Sequence, residues 1–279
     1  MGIGTLYVVG VGPGDPELLT LKAVRILKKV PCLCIPKGRE EGSSLALSIV
    51  QKALSLDGKE IIEAYFPMKK TRTQNTEYRI QNTENPPIPP LRAMALTKGG
   101  EGGLKNCEID TRWQQAIESI LSKLNKGIDM AFITLGDPSI YSTFFYLYDS
   151  LLELSPELPI EIIPGVSSIN AAASKAKISL SLADEKIAII PATYFFRTEH
   201  GIQPSTASLS SVLVDFDTVV LMKVHKVFDN ILKTLNEMNL LNNAVYVLKT
   251  GMEDEKIFNN IRDVKEPDLN YFSMVIVKK

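Results

Sequence analysis

The stretch Gly-Asp-Pro-Ser-Ile-Tyr-Ser-Thr at residues 136–143 constrains the fold most. It follows an apolar run, residues 130–135, that predicts a buried strand, and it leads into residues 144–152, which predict a helix. Gly136 permits a sharp turn, and Pro138 suits a first helical position because it lacks an N–H. Such a strand–turn–helix directs backbone N–H groups towards a crevice that can hold a polar ligand. An ordinary capped corner of an α/β protein has the same pattern, so both interpretations stay open.

Strands and helices alternate along most of the chain. Strands are predicted at residues 6–11, 32–35, 61–65, 130–135, 160–163, 186–190, 218–222, 244–248 and 271–277. Helices are predicted at residues 16–29, 43–54, 111–124, 144–152, 169–176, 208–214 and 227–238. The alternation indicates an α/β fold of two domains, 1–154 with a mainly parallel sheet and 155–279 with a mixed sheet. Residues from about 68 to 109 show no period and predict a mobile insertion, or alternatively a lid over an active site.

Composition favours a soluble globular protein. The chain has 279 residues, of which 45% are hydrophobic and 23% charged, so it can bury a full core. The net charge of -1 gives no case for nucleic acid as a required partner. No apolar run approaches the roughly 20 residues of a membrane span, and the N-terminus lacks the basic region of a signal peptide. We therefore expect a cytoplasmic protein that needs neither nucleic acid nor a membrane.

Cysteine and histidine are too sparse to indicate disulfides or a metal centre. The cysteines are Cys32, Cys34 and Cys107, an odd number that fits a reducing compartment. Cys32 and Cys34 lie inside an apolar run and lack zinc-ligand spacing, which favours packing in the core. The histidines, His200 and His225, are far apart in sequence, and we expect no protein-bound metal.

A glycine-rich turn follows the first predicted strand and raises the question of a dinucleotide. Gly10, Gly12 and Gly14 alternate there, but the Rossmann fingerprint is G-x-G-x-x-G, so the third glycine stands one residue early. Pro36 and Lys37 end the second strand, where an acidic residue would bind the ribose. The pattern therefore disfavours a nicotinamide or flavin enzyme.

Three segments, taken together and in order, resemble the signatures of the tetrapyrrole methylases. They are Gly-Val-Gly-Pro-Gly-Asp-Pro-Glu-Leu-Leu-Thr-Leu-Lys-Ala at 10–23, Leu-Gly-Asp-Pro at 135–138 and Pro-Gly-Val-Ser-Ser at 164–168. The resemblance spans nearly the whole chain apart from the insertion. With Cys-Ile-Pro-Lys at 34–37, the second motif and its continuation most resemble the branch that methylates precorrin-2 at C(20) on the corrin pathway, with or without cobalt.

The resemblance implies two α/β domains that enclose a cleft, a homodimer, a tetrapyrrole substrate and S-adenosylmethionine as methyl donor. It also implies direct displacement, in which an electron-rich meso carbon attacks the sulfonium methyl group and a proton leaves afterwards. The residue that accepts this proton is not assigned. The donor would contact Pro13, Leu135, Gly136, Asp137, Ile140, Ser167, Ser168, Met222 and Thr250. The substrate would contact Gly12, Asp15, Lys37 and Tyr141.

Several of these residues keep a second interpretation. Asp137, like Asp15, precedes a proline and suits a helix cap better than a contact with the donor's charged groups. Met222 offers a thioether to an aromatic base or packs in a core, and Tyr141 faces a cleft or packs inside. Four cationic side chains are candidates for binding the substrate carboxylates, namely Lys37, Arg39, Lys69 and Lys70. The alternative is that each is an ordinary solvated charge on the surface.

Two alternative functions also stay open. Within the family, the alternatives are another ring position or a different target molecule, as in the diphthine and ribosomal RNA branches; the near-neutral charge disfavours RNA. Outside enzymes, the chain would be a ligand-binding regulator that kept the fold and lost turnover.

Overall fold

The computed structural model describes residues 2–37, 44–65, 105–196 and 208–279. Arg39, Lys69, Lys70 and residues 68–104 of the predicted insertion lie outside these ranges. The chain divides into two compact units. The first comprises Met1–Val11 and Thr20–Gly165, and the second comprises Gly12–Leu19 and Val166–Lys279.

The first unit is built on a five-stranded sheet in the order β3-β2-β4-β1-β5, with every neighbouring pair parallel. The strands are β1 (Leu6–Gly10), β2 (Cys32–Lys37), β3 (Glu60–Tyr65), β4 (Met130–Thr134) and β5 (Ile160–Ile163). The helices are α1 (Leu21–Lys29), α2 (Leu45–Ala53), α3 (Lys105–Leu124) and α4 (Phe145–Leu154). Because helices cover parallel sheets, β1 and β4 are buried along their whole length, which explains their continuous apolar sequences.

The second unit has a mixed sheet in the order β6-β7-β10-β8-β9, in which only β6 and β7 pair in parallel. The strands are β6 (Ile187–Pro191), β7 (Thr218–Met222), β8 (Ala244–Leu248), β9 (Lys256–Phe258) and β10 (Ser273–Lys278). The helices are α5 (Ser168–Ala176), α6 (Leu209–Asp215) and α7 (Phe228–Glu237). The prediction of one mainly parallel and one mixed sheet is thus confirmed.

The division between the units lies after Gly165, whereas the sequence placed it at 154/155. The physical reason is β5, whose backbone pairs with β1 from Leu6↔Ile160 to Val9↔Ile163 and so completes the first sheet. The short segment Gly12–Leu19 groups with the second unit although it directly follows β1.

The helix predicted at residues 16–29 is in fact two elements. A 3-10 helix covers Pro16–Leu18, and α1 starts only after Thr20. Leu19 is extended, with φ −67° and ψ 130°, and the Thr20 hydroxyl caps α1 by accepting the Ala23 N–H at 3.1 Å. A threonine side chain competes with the backbone for this N–H and therefore favours a new helix start over a continuous helix.

Two further boundaries differ from the sequence prediction. Helix α3 begins at Lys105, so the last residues of the predicted insertion, 105–109, are helical rather than part of a loop. Strand β9 was not predicted, because three residues are too few for a recognisable hydrophobic period. Cys32 and Cys34 are buried in the first core as predicted, and burial raises the pKa of the Cys34 thiol.

Across the four described ranges, we find no helix with both the length and the apolar sequence needed to cross a bilayer.

Thr20→Ala should lower the free energy of unfolding by about 1 kcal/mol, because the Ala23 N–H loses its capping oxygen. Urea unfolding followed by circular dichroism would measure this. Thr20→Ser keeps the hydroxyl and should restore most of the loss. Equal free energies of unfolding for Thr20→Ala and Thr20→Ser would contradict the capping role.

Candidate functional site

Three glycines pack against one another at the carboxyl edge of the parallel sheet. Gly10 ends β1, Gly136 follows β4 and Gly165 follows β5. A Cβ atom on Gly10 would lie 2.7 Å from the Gly136 carbonyl oxygen and 2.7 Å from the Gly165 nitrogen. Gly136 also has a φ of +70°, which favours glycine. The main chains thus approach more closely than any side chain would allow, at the edge where open α/β sheets bind ligands.

The Asp137 carboxylate stabilises the glycine corner, the contact formed by Gly10, Gly136 and Gly165. One oxygen accepts the Ser139 N–H at 2.8 Å and the Ser139 hydroxyl, and the other accepts the Gly165 N–H at 2.9 Å. The predicted helix cap is therefore wrong, since α4 starts at Phe145 without a side-chain cap. Pro138 correspondingly lies in a turn and not at a first helical position. The carboxylate is used to join the turn after β4 to the turn after β5.

The carboxylate of Asp137 has a shifted pKa. Burial by itself raises the pKa, but the hydrogen bonds donated by the Ser139 hydroxyl, the Gly165 N–H and the Ser139 N–H together outweigh burial. The net effect holds the pKa of Asp137 below its ordinary value, so the group is an anion at neutral pH.

The apolar and aromatic residues around the glycine corner are partly accessible. Leu135 and Ile140 are half-buried on either side of the turn. Tyr141 is 50% exposed and has a φ of 53°, a left-handed conformation that is uncommon outside glycine. Its exposure excludes the interpretation as a core residue.

Lys37 ends β2 at the same carboxyl edge, since β2 and β4 are parallel neighbours. Its ammonium nitrogen lies 2.7 Å from a carboxylate oxygen of Glu63 in β3. Only 15% of the Lys37 side chain is exposed, compared with 56% for Glu63. Lys37 is therefore a largely buried, paired cation rather than the freely solvated charge of the alternative interpretation.

The second unit contains a similar close approach of two glycines. A Cβ atom on Gly14 would lie 2.8 Å from the Gly251 carbonyl oxygen, and one on Gly251 would lie 2.9 Å from the Asp15 nitrogen. Gly251 also has a φ of +76°. The turn that contains Gly12 and Pro13, both buried, therefore packs against the loop after β8. Asp15 caps the following 3-10 helix by accepting the Glu17 N–H at 2.9 Å, as predicted.

The remaining predicted residues of the second unit lie at the ends of its elements. Thr250 follows β8 and is 4% exposed. Met222 is half-buried at the end of β7, whose four preceding residues are fully buried, so it is not a plain core methionine. Ser167 caps α5 by accepting the Asn170 N–H at 3.3 Å, and Ser168 is the first residue of that helix.

The structure thus groups the predicted residues by unit. In the first unit it brings together Leu135, Gly136, Asp137, Ile140 and Tyr141, with Lys37 at the same edge. In the second it joins Gly12, Pro13 and Asp15 to the segment of Thr250, while Ser167, Ser168 and Met222 lie at other element ends.

Sequence reasoning missed three residues that shape these sites. Gly251 and Glu255 organise the loop after β8, and Glu63 pairs with Lys37. The signal for Gly251 was a glycine soon after a predicted strand, the same signal that identified Gly136. The two carboxylates carried no signal, because Glu63 pairs with a lysine on another strand and the bond from Glu255 to the Gly251 N–H, four residues away, depends on the loop's folded backbone.

A search for metal ligands covered the four described ranges. It found no group of three or more His, Cys, Asp or Glu side chains that could hold a metal ion there.

The comparison with known proteins decides the family. The family model for tetrapyrrole (corrin/porphyrin) methylases matches residues 5–265. The chain belongs to the tetrapyrrole methylases. The matched region contains the three glycines of the first unit, the glycine pair of the second, and all the residues that the sequence assigned to the donor and substrate.

Two curated tetrapyrrole methylases match along almost their full length. A cobalt-precorrin-2 C(20)-methyltransferase from Salmonella typhimurium is 29% identical over 277 residues, which covers 99% of this chain and 97% of that protein. A probable cobalt-precorrin-2 C(20)-methyltransferase from Methanocaldococcus jannaschii is 30% identical over 282 residues, covering 98% of this chain and 96% of that protein.

A solved tetrapyrrole methylase structure shares the fold. The uroporphyrin-III C-methyltransferase from Thermus thermophilus, complexed with S-adenosylhomocysteine, superposes with a TM-score of 0.56 at 18% sequence identity. The match covers 99% of this chain and 98% of that one. At this identity the likeness shows the fold alone.

Gly165→Ala should destabilise the protein by about 1–3 kcal/mol, because the added methyl group would lie 2.8 Å from the Gly10 carbonyl carbon. Urea unfolding of wild type and variant measures the difference. Gly2→Ala is the matched control, since no atom lies within 4 Å of a Cβ there. A Gly165→Ala variant as stable as Gly2→Ala would refute the close packing.

Asp137→Asn should cost stability at neutral pH and progressively less in acid. The folded-state pKa of Asp137 is lowered, so its stabilisation is present above the unfolded value of about 3.9 and is lost as pH falls through the folded pKa. Urea unfolding at about pH 7, 5 and 3.5 measures the difference in the free energy of unfolding between wild type and variant. This difference should be equal at the first two pH values and smaller at the third. A gap that does not depend on pH would disprove the role of the anion.

Proposed function

We propose that this chain is an S-adenosylmethionine-dependent methyltransferase that methylates C(20) of precorrin-2, or of its cobalt complex, in cobalamin biosynthesis. The observation that carries the proposal is the match over 99% of the chain to a relative named cobalt-precorrin-2 C(20)-methyltransferase. The related uroporphyrin-III methyltransferase supports the choice of donor, because it was solved with S-adenosylhomocysteine.

The glycine corner of the first unit fits such a donor. The main chains at Gly10, Gly136 and Gly165 pack directly against one another, which holds the turns after β1, β4 and β5 together at the sheet edge where such ligands bind. Asp137 is ionised, and a carboxylate has about four acceptor positions, which leaves capacity beyond its three internal hydrogen bonds. A cationic ligand group beside this anion would be stabilised by its charge.

We propose that the donor contacts the residues that the family resemblance assigns to it. In the first unit these are Leu135, Gly136, Asp137 and Ile140, and in the second they are Pro13, Ser167, Ser168, Met222 and Thr250. The half-buried thioether of Met222 suits contact with an aromatic base. The buried hydroxyl of Thr250 offers both a donor and an acceptor for hydrogen bonds.

We propose that the substrate contacts Gly12, Asp15, Lys37 and Tyr141. Lys37 supplies a cation for one of the substrate carboxylates, and Glu63 is the carboxylate that holds this cation in place in the free protein. Tyr141 supplies an exposed aromatic face near the glycine corner. The backbone of Gly12 is preset at a φ of +79°, so its turn needs no rearrangement on binding.

The donor, when bound, supplies an electrophilic methyl group. The contribution of the protein is to hold the reacting carbon of the substrate in line with that group, which is worth several kcal/mol of the barrier when the geometry is near attack. The rigid glycine corners suit this positioning role. We also propose a homodimer, which rests on the family resemblance, and a cytoplasmic location, which rests on the sparse, odd set of cysteines.

Calorimetry should show micromolar binding of S-adenosylhomocysteine to the wild-type protein. Gly136→Arg should abolish it, because Gly136 is buried at the glycine corner and its φ of +70° disfavours any side chain. Gly2→Arg introduces the same side chain at an open position and should bind like wild type. No binding by the wild type would reject the proposed function.

The ring position is tested by turnover. The protein is incubated anaerobically with carbon-13-methyl S-adenosylmethionine and either precorrin-2 or its cobalt complex. We expect a product heavier by one labelled methylene unit, with the carbon-13 NMR signal assigned to C(20). A label at any other carbon would reassign the enzyme within the family, and no turnover with donor binding intact would favour a ligand-binding regulator.

A further inference from the structure

In the loop after β8, Lys249 adopts a backbone conformation that is uncommon outside glycine. Lys249 has a φ of 51° and Gly251 a φ of +76°, both in the left-handed region. A lysine in this region costs free energy that contacts elsewhere must offset. The Lys249 N–H donates to the Phe272 carbonyl oxygen at 2.7 Å, which ties the start of the loop to the residue before β10.

Glu255 holds the other side of this loop. One oxygen of its carboxylate accepts the Gly251 N–H at 2.6 Å. The other oxygen lies 3.5 Å from the ammonium nitrogen of Lys175 in α5. The Glu255 side chain is 17% exposed, against 49% for Lys175. Because Glu255 is the more buried partner, its bond to the backbone is better shielded from water than the ion pair.

The Gly251 N–H lies close to residues that we assign to the donor and the substrate. Thr250, assigned to the donor, directly precedes Gly251. A Cβ on Gly251 would lie 3.4 Å from Pro13 Cγ and 2.9 Å from the Asp15 nitrogen, residues assigned to the donor and the substrate. A small displacement of Gly251 would therefore move Thr250 on one side and press on the turn of Pro13 and Asp15 on the other.

We propose that Glu255 is a positioning residue of the methyl-donor site. Its carboxylate accepts the Gly251 N–H and thereby fixes Thr250 and the turn at Gly14 in one arrangement. For donor binding, the oxygen that accepts the Gly251 N–H should matter more than the negative charge that faces Lys175. The inference deepens the proposed function and rests on it, because the residues that Glu255 orders are those assigned to S-adenosylmethionine.

Calorimetry of the full chain with S-adenosylhomocysteine provides the test. Glu255→Ala should weaken binding about 10-fold or more, since a hydrogen bond to a charged acceptor is lost beside the site. Glu255→Gln keeps an acceptor oxygen for the Gly251 N–H and should stay within about threefold of wild type. Glu237→Ala removes an exposed carboxylate at the end of α7 and is the control that should not change binding.

Kinetics and stability separate positioning from a purely structural role. The KM for S-adenosylmethionine should rise with Glu255→Ala by more than the KM for the tetrapyrrole, because Thr250 and Pro13 are assigned to the donor and only Asp15 of the neighbouring turn contacts both Gly251 and the substrate site. All variants are assayed at a temperature where circular dichroism shows them fully folded. A purely structural role would lower the unfolding midpoint but leave the affinity of the folded protein unchanged, and that result would overturn the proposal.

Glu255→Asp takes the place of Glu255→Ala if the alanine variant does not fold. The aspartate keeps the negative charge but withdraws its oxygens by one methylene from Gly251, so it should bind more weakly than Glu255→Gln. The opposite order would show that charge dominates and would contradict the proposal. Wild-type protein that fails to bind S-adenosylhomocysteine would defeat the proposed function and this inference with it. Normal wild-type binding with unaffected variants would defeat only the inference.

Discussion

The close approach of main chains at Gly10, Gly136 and Gly165 is the constraint on which the first unit depends. Three parallel strands end there without side chains between them, and the Asp137 carboxylate joins two of the turns. Because the carboxylate bonds to backbone N–H groups, the turns cannot separate without leaving polar groups unpaired. Turns held together in this way suit the proposed site, which has to align two large ligands.

The second unit also contains a direct contact between main chains at glycines, but different segments of the chain form it. Gly14 and Gly251 again permit direct backbone contact, but here a short segment from the N-terminal part of the chain packs on a loop between β8 and β9. The carboxylate that holds this loop, Glu255, is four residues further along the chain from the amide it binds. In both units an acidic side chain fixes the backbone next to a glycine, and the glycine lets the backbone of another segment pack directly against it.

Local patterns predicted the elements well and their ends less well. The buried strands were evident because parallel strands covered on both faces have continuous apolar sequences. The break at Thr20 was missed, because the apolar period continues through it and only the cap geometry shows a new helix start. The function of Asp137 was also misjudged. An aspartate before a proline is typical of a cap, but besides the nearby Ser139 the carboxylate binds the N–H of Gly165, 28 residues away.

The sequence by itself determined the α/β class, the two kinds of sheet and the family. These follow from hydrophobic periodicity and from three glycine-containing motifs, which are local properties of the chain. Only the tertiary structure decided that β5 completes the first sheet, that Lys37 is paired with Glu63, and that Gly251 touches Gly14. Each of these is a contact between segments that are separated in sequence, and no local pattern encodes which distant partner a strand edge, a charge or a glycine will meet.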